Sequence, residues 1–235
     1  MDRLVSYSLD GGVATIAMDD GKVNAMSLQM QAELNQALDR AQADRATVLL
    51  AGRKGVFSAG FDLPVLGAGG EPALKMLNGG FELARRLLAF PTPVVAACTG
   101  HALAMGVFLA ASADYRIGAA GAYKIGANEV AISMVLPRAA IEICKARLAP
   151  PHYGRALINA EIYGPADAVA AGFLDQVVAE DQLPGAAQAA AARLSRLMMK
   201  AHAATKLLAR EQLLKDLDAA MAADRETYRA MMGMK

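Results

Sequence analysis

Few residues in this chain have the type and setting to do chemistry. Between Leu83 and Ile141 the only carboxylates are Asp114 and Glu129. Asp114 opens "DYRI", two residues before Arg116, and reads as a structural anion at the start of a strand. Glu129 follows "YKIGAN" and precedes "VAISMVLP", so it stands at the end of a strand in an apolar neighbourhood. Desolvation raises the pKa of a carboxylate in such a place, which suits it to take and return a proton near neutral pH. The alternative is an exposed glutamate at a strand end. Two further stretches, "VLLAGRKGVFSAGFD" and "VVAACTGHALAMG", each carry a buried strand into small residues. A strand that runs through glycine into a turn or helix leaves peptide N–H groups without internal partners. Either these glycines only permit tight turns, or two such N–H groups converge to hold a developing negative oxygen, with a helix N-terminus adding favourable partial charge.

Composition removes several classes of function. The chain has 235 residues, 55% hydrophobic and 20% charged, with a formal net charge of +1. That balance is globular, and the length allows one large domain or a domain with an appendage. Lys and Arg are scattered rather than gathered into a stripe, so neither nucleic acid nor a membrane surface is an expected partner. Cys98 and Cys144 lie in apolar segments without CxxC spacing and read as core thiols, and no metal is expected. The N-terminal segment alternates polar and apolar residues without a signal-peptide h-region. No run reaches the ~18 apolar residues of a membrane span. A soluble, cytoplasmic protein is the expectation.

The elements that must position these groups follow from periodicity. "LVSYSLD" and "VATIAMD", joined by "GG", predict a hairpin. Ser27 predicts an N-cap for a helix over "LQMQAELNQALDRAQAD", with Leu28, Leu34 and Leu38 at helical spacing. "ATVLLAG" and "TPVVAACTG" are short apolar runs of the buried-strand kind. "RKGVFSAGFDL" reads as a loop, followed by a helix over 72–89; a second helix runs from about 104 to 112, and "DYRIGA" and "YKIGA" are further strands. Strand and helix alternate in this way to about residue 178, which predicts an α/β fold. The tail is rich in alanine, leucine and methionine and reads as helical. Its apolar content exceeds what a lone surface helix needs, so it packs on the body or on another subunit. The chain thus divides into a core over 1–183 and a helical region for packing and oligomerisation over 184–235.

"FSAGFDL", followed by "TGHALAMG", "ADYRIGA" and "GANEV", resembles the crotonase, or enoyl-CoA hydratase/isomerase, family. The match runs from "GVATIAMDDGKVNAMS" to "AVAAGFLDQVV", about residues 12–178. "NAMS" is similar to the family's asparagine-alanine-leucine-serine motif, and "YGPADAVAAGFLDQVV" to its helix and following strand. Each motif alone is weak; four in order with compatible gaps are specific. The resemblance implies an α/β crotonase spiral of ββα repeats, with a helical C-terminal region that packs in a homotrimer or a hexamer. It implies an acyl-CoA thioester as substrate and no cofactor, coenzyme A being part of the substrate. By position in the motifs, the backbone N–H groups of Phe61 and Met105 would hold the thioester oxygen as it becomes an enolate. Met105 stands where the family usually has glycine. "GKVNAM" resembles the family's adenine-binding turn, which marks Val23 and Ala25 as CoA contacts and puts Lys22 near the CoA phosphates. Asp62 reads as a structural cap, and His101 as a wall of the acyl pocket.

The match to "GANEV" makes Glu129 the catalytic base. The family's other acid would fall three residues after Met105, where this chain has Phe108. Phe108 would then be an apolar wall of the acyl pocket. Hydratases of the family use two glutamates to hold a water and shuttle its protons, whereas moving a double bond from C3 to C2 needs one base. The resemblance therefore implies a 3,2-enoyl-CoA isomerase of fatty acid β-oxidation. The alternatives are an enoyl-CoA hydratase and a catalytically silent acyl-CoA-binding subunit.

Overall fold

The hairpin predicted at the start of the chain is present: β1 (Val5–Asp10) turns into antiparallel β2 (Val13–Met18). Its turn residues Gly11 and Gly12 have φ of 53° and 79°, a conformation that only glycine adopts cheaply. The computed structural model describes residues 3–233. α1 (Leu28–Ala43) starts where Ser27 accepts the Met30 N–H. β3 (Thr47–Ala51) and β4 (Gly55–Ser58) follow, then α2 (Leu63–Ala68), capped by Asp62, and α3 (Gly70–Leu88). Next come β5 (Val94–Cys98), β6 (Gly100–Leu103) and α4 (Met105–Ala111). β7 (Tyr115–Ala119) and β8 (Ile125–Gly126) precede α5 (Arg138–Lys145). α6 (Pro150–Leu157), α7 (Pro165–Ala171) and β9 (Gln176–Val178) lead to the tail, which forms α8 (Leu183–Leu194), α9 (Met199–Ala209) and α10 (Glu211–Met231). Among the described residues no helix is long and apolar enough to cross a membrane.

The strands form two sheets, a six-stranded one in the order β1-β2-β3-β5-β7-β9 and a three-stranded one in the order β4-β6-β8. Three times the chain leaves a strand of the large sheet, adds one to the small sheet and enters a helix. The small sheet corrects the sequence reading. β4 lies inside the stretch taken for a loop, and β6 lies just before the helix expected at 104. All its pairings are parallel, Gly55 opposite Gly100, Ser58 opposite Ala102, and Leu103 opposite Gly126. Two glycines let backbone meet backbone, Gly100 between neighbouring strands of the small sheet and Gly106 between that sheet and α4. A Cβ on Gly100 would lie 2.0 Å from the Gly55 carbonyl, and one on Gly106 would lie 2.3 Å from the Ser58 oxygen.

One apolar core lies between the sheets and helices α1, α3, α4 and α5, and includes Ile16, Leu34, Phe57, Phe81, Phe108 and Ile143. A second covers the opposite face of the large sheet, where Val13, Leu49, Val95 and Ile117 pack against Leu183, Ala187 and Ala191 of α8. α10 packs on α3 and α5. Asp114 anchors the tail through Lys206 at 2.7 Å and Arg210 at 2.8 Å, and also accepts the Val94 N–H. Arg116 pairs not with Asp114 but with Asp175, at 2.6 Å. Cys98 and Cys144 are buried free thiols.

Candidate functional site

The three strands of the small sheet run parallel, so their C-terminal ends deliver three turns to one edge. Beyond β4, the Ser58 hydroxyl donates to the Asn24 carbonyl and accepts the Gly60 N–H, and Gly60 with φ of 98° turns the chain into Phe61. Beyond β6, Ala104 donates its N–H to the Gly126 carbonyl at the end of β8, and Met105 begins α4. A Cβ placed on Gly60 would be 3.3 Å from the Met105 nitrogen, so the first two turns touch. Among the described residues, neither the Phe61 nor the Met105 N–H donates to a protein acceptor. The strained position of this turn is Ala104, at φ 49° and ψ −130°, whereas Met105, which stands where the family usually has glycine, is the first residue of its helix. A non-glycine residue in such a conformation costs about 1–3 kcal/mol.

Beyond β8 comes Glu129, which precedes a 3-10 turn over Val130–Ile132 and accepts the Ile132 and Met134 N–H groups on its carbonyl. It is 5% exposed, and its Oε2 has no hydrogen-bond partner among the described residues. Burial pushes its carboxyl up to about 7, an effect only partly offset by a hydrogen bond from its own backbone N–H. Asn128 beside it has a buried Oδ1 without a partner among the described residues. The Glu129 charge reaches Cys144 of α5 and Tyr228 of α10, adding to the burial that raises both groups.

The walls near the turns are aromatic. Phe61 meets Phe81 edge to face and Phe81 stacks on Phe108, both at 6.2 Å between ring centres. Phe108, on α4, is 1% exposed. The Phe61 ring and Met105 Sδ both lie over Gly80 of α3, where a Cβ would be 2.5 Å from Phe61 and 3.4 Å from the sulfur. The turn holding Lys22, Val23 and Ala25 runs along the same chain segment. Val23 accepts the Ala59 N–H, Met26 donates to the Gly60 carbonyl, and the Asp20 carboxylate accepts the N–H groups of Lys22 and Ala25. Lys22 and Val23 are exposed and Ala25 is half-buried.

His101 is half-buried on β6; its Nδ1 accepts the Lys124 N–H at 3.0 Å and its ring meets Tyr123 edge-on. Among the described residues no polar or ring contact joins it to Phe108 or Glu129. A cavity of about 780 Å³ lies between the large sheet and α8, lined among others by Thr15, Leu49, Ala97, Leu183 and Ala187. None of the residues above lines it. Volume alone therefore does not select the candidate site; a buried carboxylate with an unpartnered oxygen is the stronger signal.

Two structural contributors escaped the sequence reading. The buried Asn24 amide donates to the Met18 and Phe57 carbonyls and so ties the turn to β4, while its φ of 51° shapes the bend. An asparagine beside turn residues signals that conformation. Tyr228 carried no such signal, since only the packing of α10 brings it near Glu129.

Residues 8–234 match the enoyl-CoA hydratase/isomerase family. A probable enoyl-CoA hydratase of Mycobacterium avium is 34% identical over 193 residues, covering 79% of this chain and 73% of that one. An enoyl-CoA hydratase/isomerase family protein of Pseudomonas syringae superposes with a TM-score of 0.93 at 49% identity, covering 95% of this chain and 97% of that one. The apo enoyl-CoA isomerase of Mycobacterium tuberculosis does so with a TM-score of 0.91 at 47% identity, over 94% and 97%. The repeated ββα steps, the paired sheets and these likenesses agree: the chain belongs to the enoyl-CoA hydratase/isomerase family and has the crotonase fold.

Proposed function

We propose that the protein is a 3,2-enoyl-CoA isomerase in which Glu129 is the catalytic base. The observation that carries this reading is a single buried, unpaired carboxylate with an apolar ring, Phe108, where the family's hydratases have their second acid. The thioester oxygen lies against the N–H groups of Phe61 and Met105. Glu129 takes a proton from C2, the enolate charge rests on the two N–H groups, and the same carboxyl returns a proton at C4. A pKa of about 7 populates both the base and the acid at neutral pH. Apolar walls around the enolate keep water from competing. In the same reading Val23, Ala25 and Lys22 hold the CoA portion, His101 and Phe108 border the acyl chain, and the helical tail mediates a homotrimer or hexamer. No cofactor takes part, and the protein works in the cytoplasm.

Hydration is the second reading, favoured by the similarity to the probable hydratase of M. avium. One comparison separates them. Isomerisation of a 3-enoyl-CoA should exceed hydration of the matching 2-enoyl-CoA by at least ~100-fold, the worth of one general acid–base group. Glu129→Gln should abolish isomerisation while acyl-CoA affinity stays nearly intact. Comparable rates for both reactions would favour the hydratase, and full activity in the glutamine variant would sink the base assignment. Binding without exchange of C2 protons would leave a silent acyl-CoA carrier.

A further inference from the structure

We infer that Tyr228 is a positioning residue for Glu129, its phenol donating to the charged carboxylate so that the other oxygen faces the substrate. The inference rests on Glu129 acting as the base. Three observations carry it. The Tyr228 hydroxyl is buried and has no hydrogen-bond partner among the described residues, and Glu129 Oε2 is in the same condition. A buried hydroxyl without a partner is costly, and where packing alone is needed phenylalanine avoids that cost. Glu129 is close enough for its charge to raise the Tyr228 phenol, the third cause after burial and Asp224.

The third observation is how Tyr228 is held. Asp224, four residues earlier and on the same face of α10, is 4% exposed. Its carboxylate accepts the N–H groups of Arg138 at 3.1 Å and Ala139 at 2.9 Å, and the Arg138 guanidinium at 3.1 Å. Asp224 therefore clamps α10 over the start of α5, the helix that also carries Cys144 towards Glu129. The charged and titratable groups around the pair are these: Cys144 on α5, a thiol kept protonated by burial; Asp224 on α10; and Arg138 on α5, paired with it. Asp224 is engaged by Arg138 and by two N–H groups, which leaves the Glu129 carboxylate as the acceptor open to the phenol. The bond forms directly after side-chain rotation or through one water.

A donor to the charged form lowers a carboxyl pKa, so removing it must raise that pKa. Tyr228→Phe should move the acid limb of the pH profile for isomerisation upward by about one unit, near the worth of one hydrogen bond to a charged group. Activity on the acid side of that limb should fall about tenfold while activity at pH 8.5 is nearly kept. A merely structural tyrosine would lower activity by the same factor at every pH, and an unmoved acid limb overturns the inference. A second measurement does not depend on how the variant folds. In the natural protein labelled with [ζ-13C]tyrosine, the Tyr228 resonance should step at the same pH as the acid limb of activity, and the step should vanish in Glu129→Gln. No step overturns the pairing. A step together with full activity in Glu129→Gln keeps the pairing and instead removes Glu129 from catalysis.

Discussion

Glutamine at position 129 should stabilise the protein, and the gain should follow a defined pH profile. Burial raises the Glu129 carboxyl from 4.5 to about 7. Between those values the unfolded chain has lost the proton while the folded one keeps it, so stability falls as pH rises through this window and levels off above it. The gap between 4.5 and about 7 is about 2.5 units; at about 1.4 kcal/mol each, the folded protein carries about 3 kcal/mol of penalty above pH 7. Little solvent screening discounts this, because the residue is 5% exposed. Glutamine keeps the shape and never ionises, so its advantage over the natural residue should grow by the same amount from pH 4.5 to 7.5. For a chain of this length that growth is about 6–12 °C in Tm. Thermal melts followed by circular dichroism, with both proteins at one protomer concentration from pH 4.5 to 8.5, measure it. A constant difference unrelated to pH would suit a glutamine that packs or hydrogen-bonds differently. A difference that does not widen across the window would refute the claim that Glu129 is desolvated. Activity should rise with pH over the same interval in which stability declines.

Two backbone substitutions test the turns. Ala104→Gly should relieve strain at φ 49°; after the entropy glycine adds to the unfolded chain, the net gain is about 1 kcal/mol, seen as a rise of about 2–4 °C in Tm. Unchanged or lower stability would mean that Ala104 contributes packing that outweighs its strain. Gly106→Ala should do the reverse, since its Cβ would lie 2.3 Å from the Ser58 oxygen. A loss of at least about 2 kcal/mol together with loss of C2-proton exchange is expected, and native activity in that variant would show that the two layers can part without harm.

The large sheet was legible because its strands are long enough to speak for themselves. "ATVLLAG" and "TPVVAACTG" are near-continuous apolar runs, the signature of strands buried on both faces, and both are there. Ser27 was readable as a cap because its role is local. The small sheet was legible only at β8, which lies inside "YKIGA". Its strands have 4, 4 and 2 residues, too few for a period to register, and two of them begin with glycine, a residue that normally marks a turn. Non-local pairing alone makes them strands. Glu129 is buried, as the apolar run around it suggested, yet nothing near it in sequence pointed to Tyr228, 99 positions later. Helical spacing reveals which face of α10 is apolar but not which pocket that face will close.

The contact of main chain on main chain at Gly100 and Gly106 has a consequence for how such a protein can change over generations. The donors proposed at Phe61 and Met105 belong to the backbone, and they follow strands of the small sheet where Gly100 and Gly106 leave no room for a side chain. If the proposed site is right, substitutions that reshape the walls at Phe61, Phe81, Met105 or Phe108 should alter which acyl groups fit without moving either donor. Specificity is free to drift while the electrostatic cradle stays put. The burden of keeping that cradle falls on a few glycines, which are silent in any comparison of side-chain chemistry.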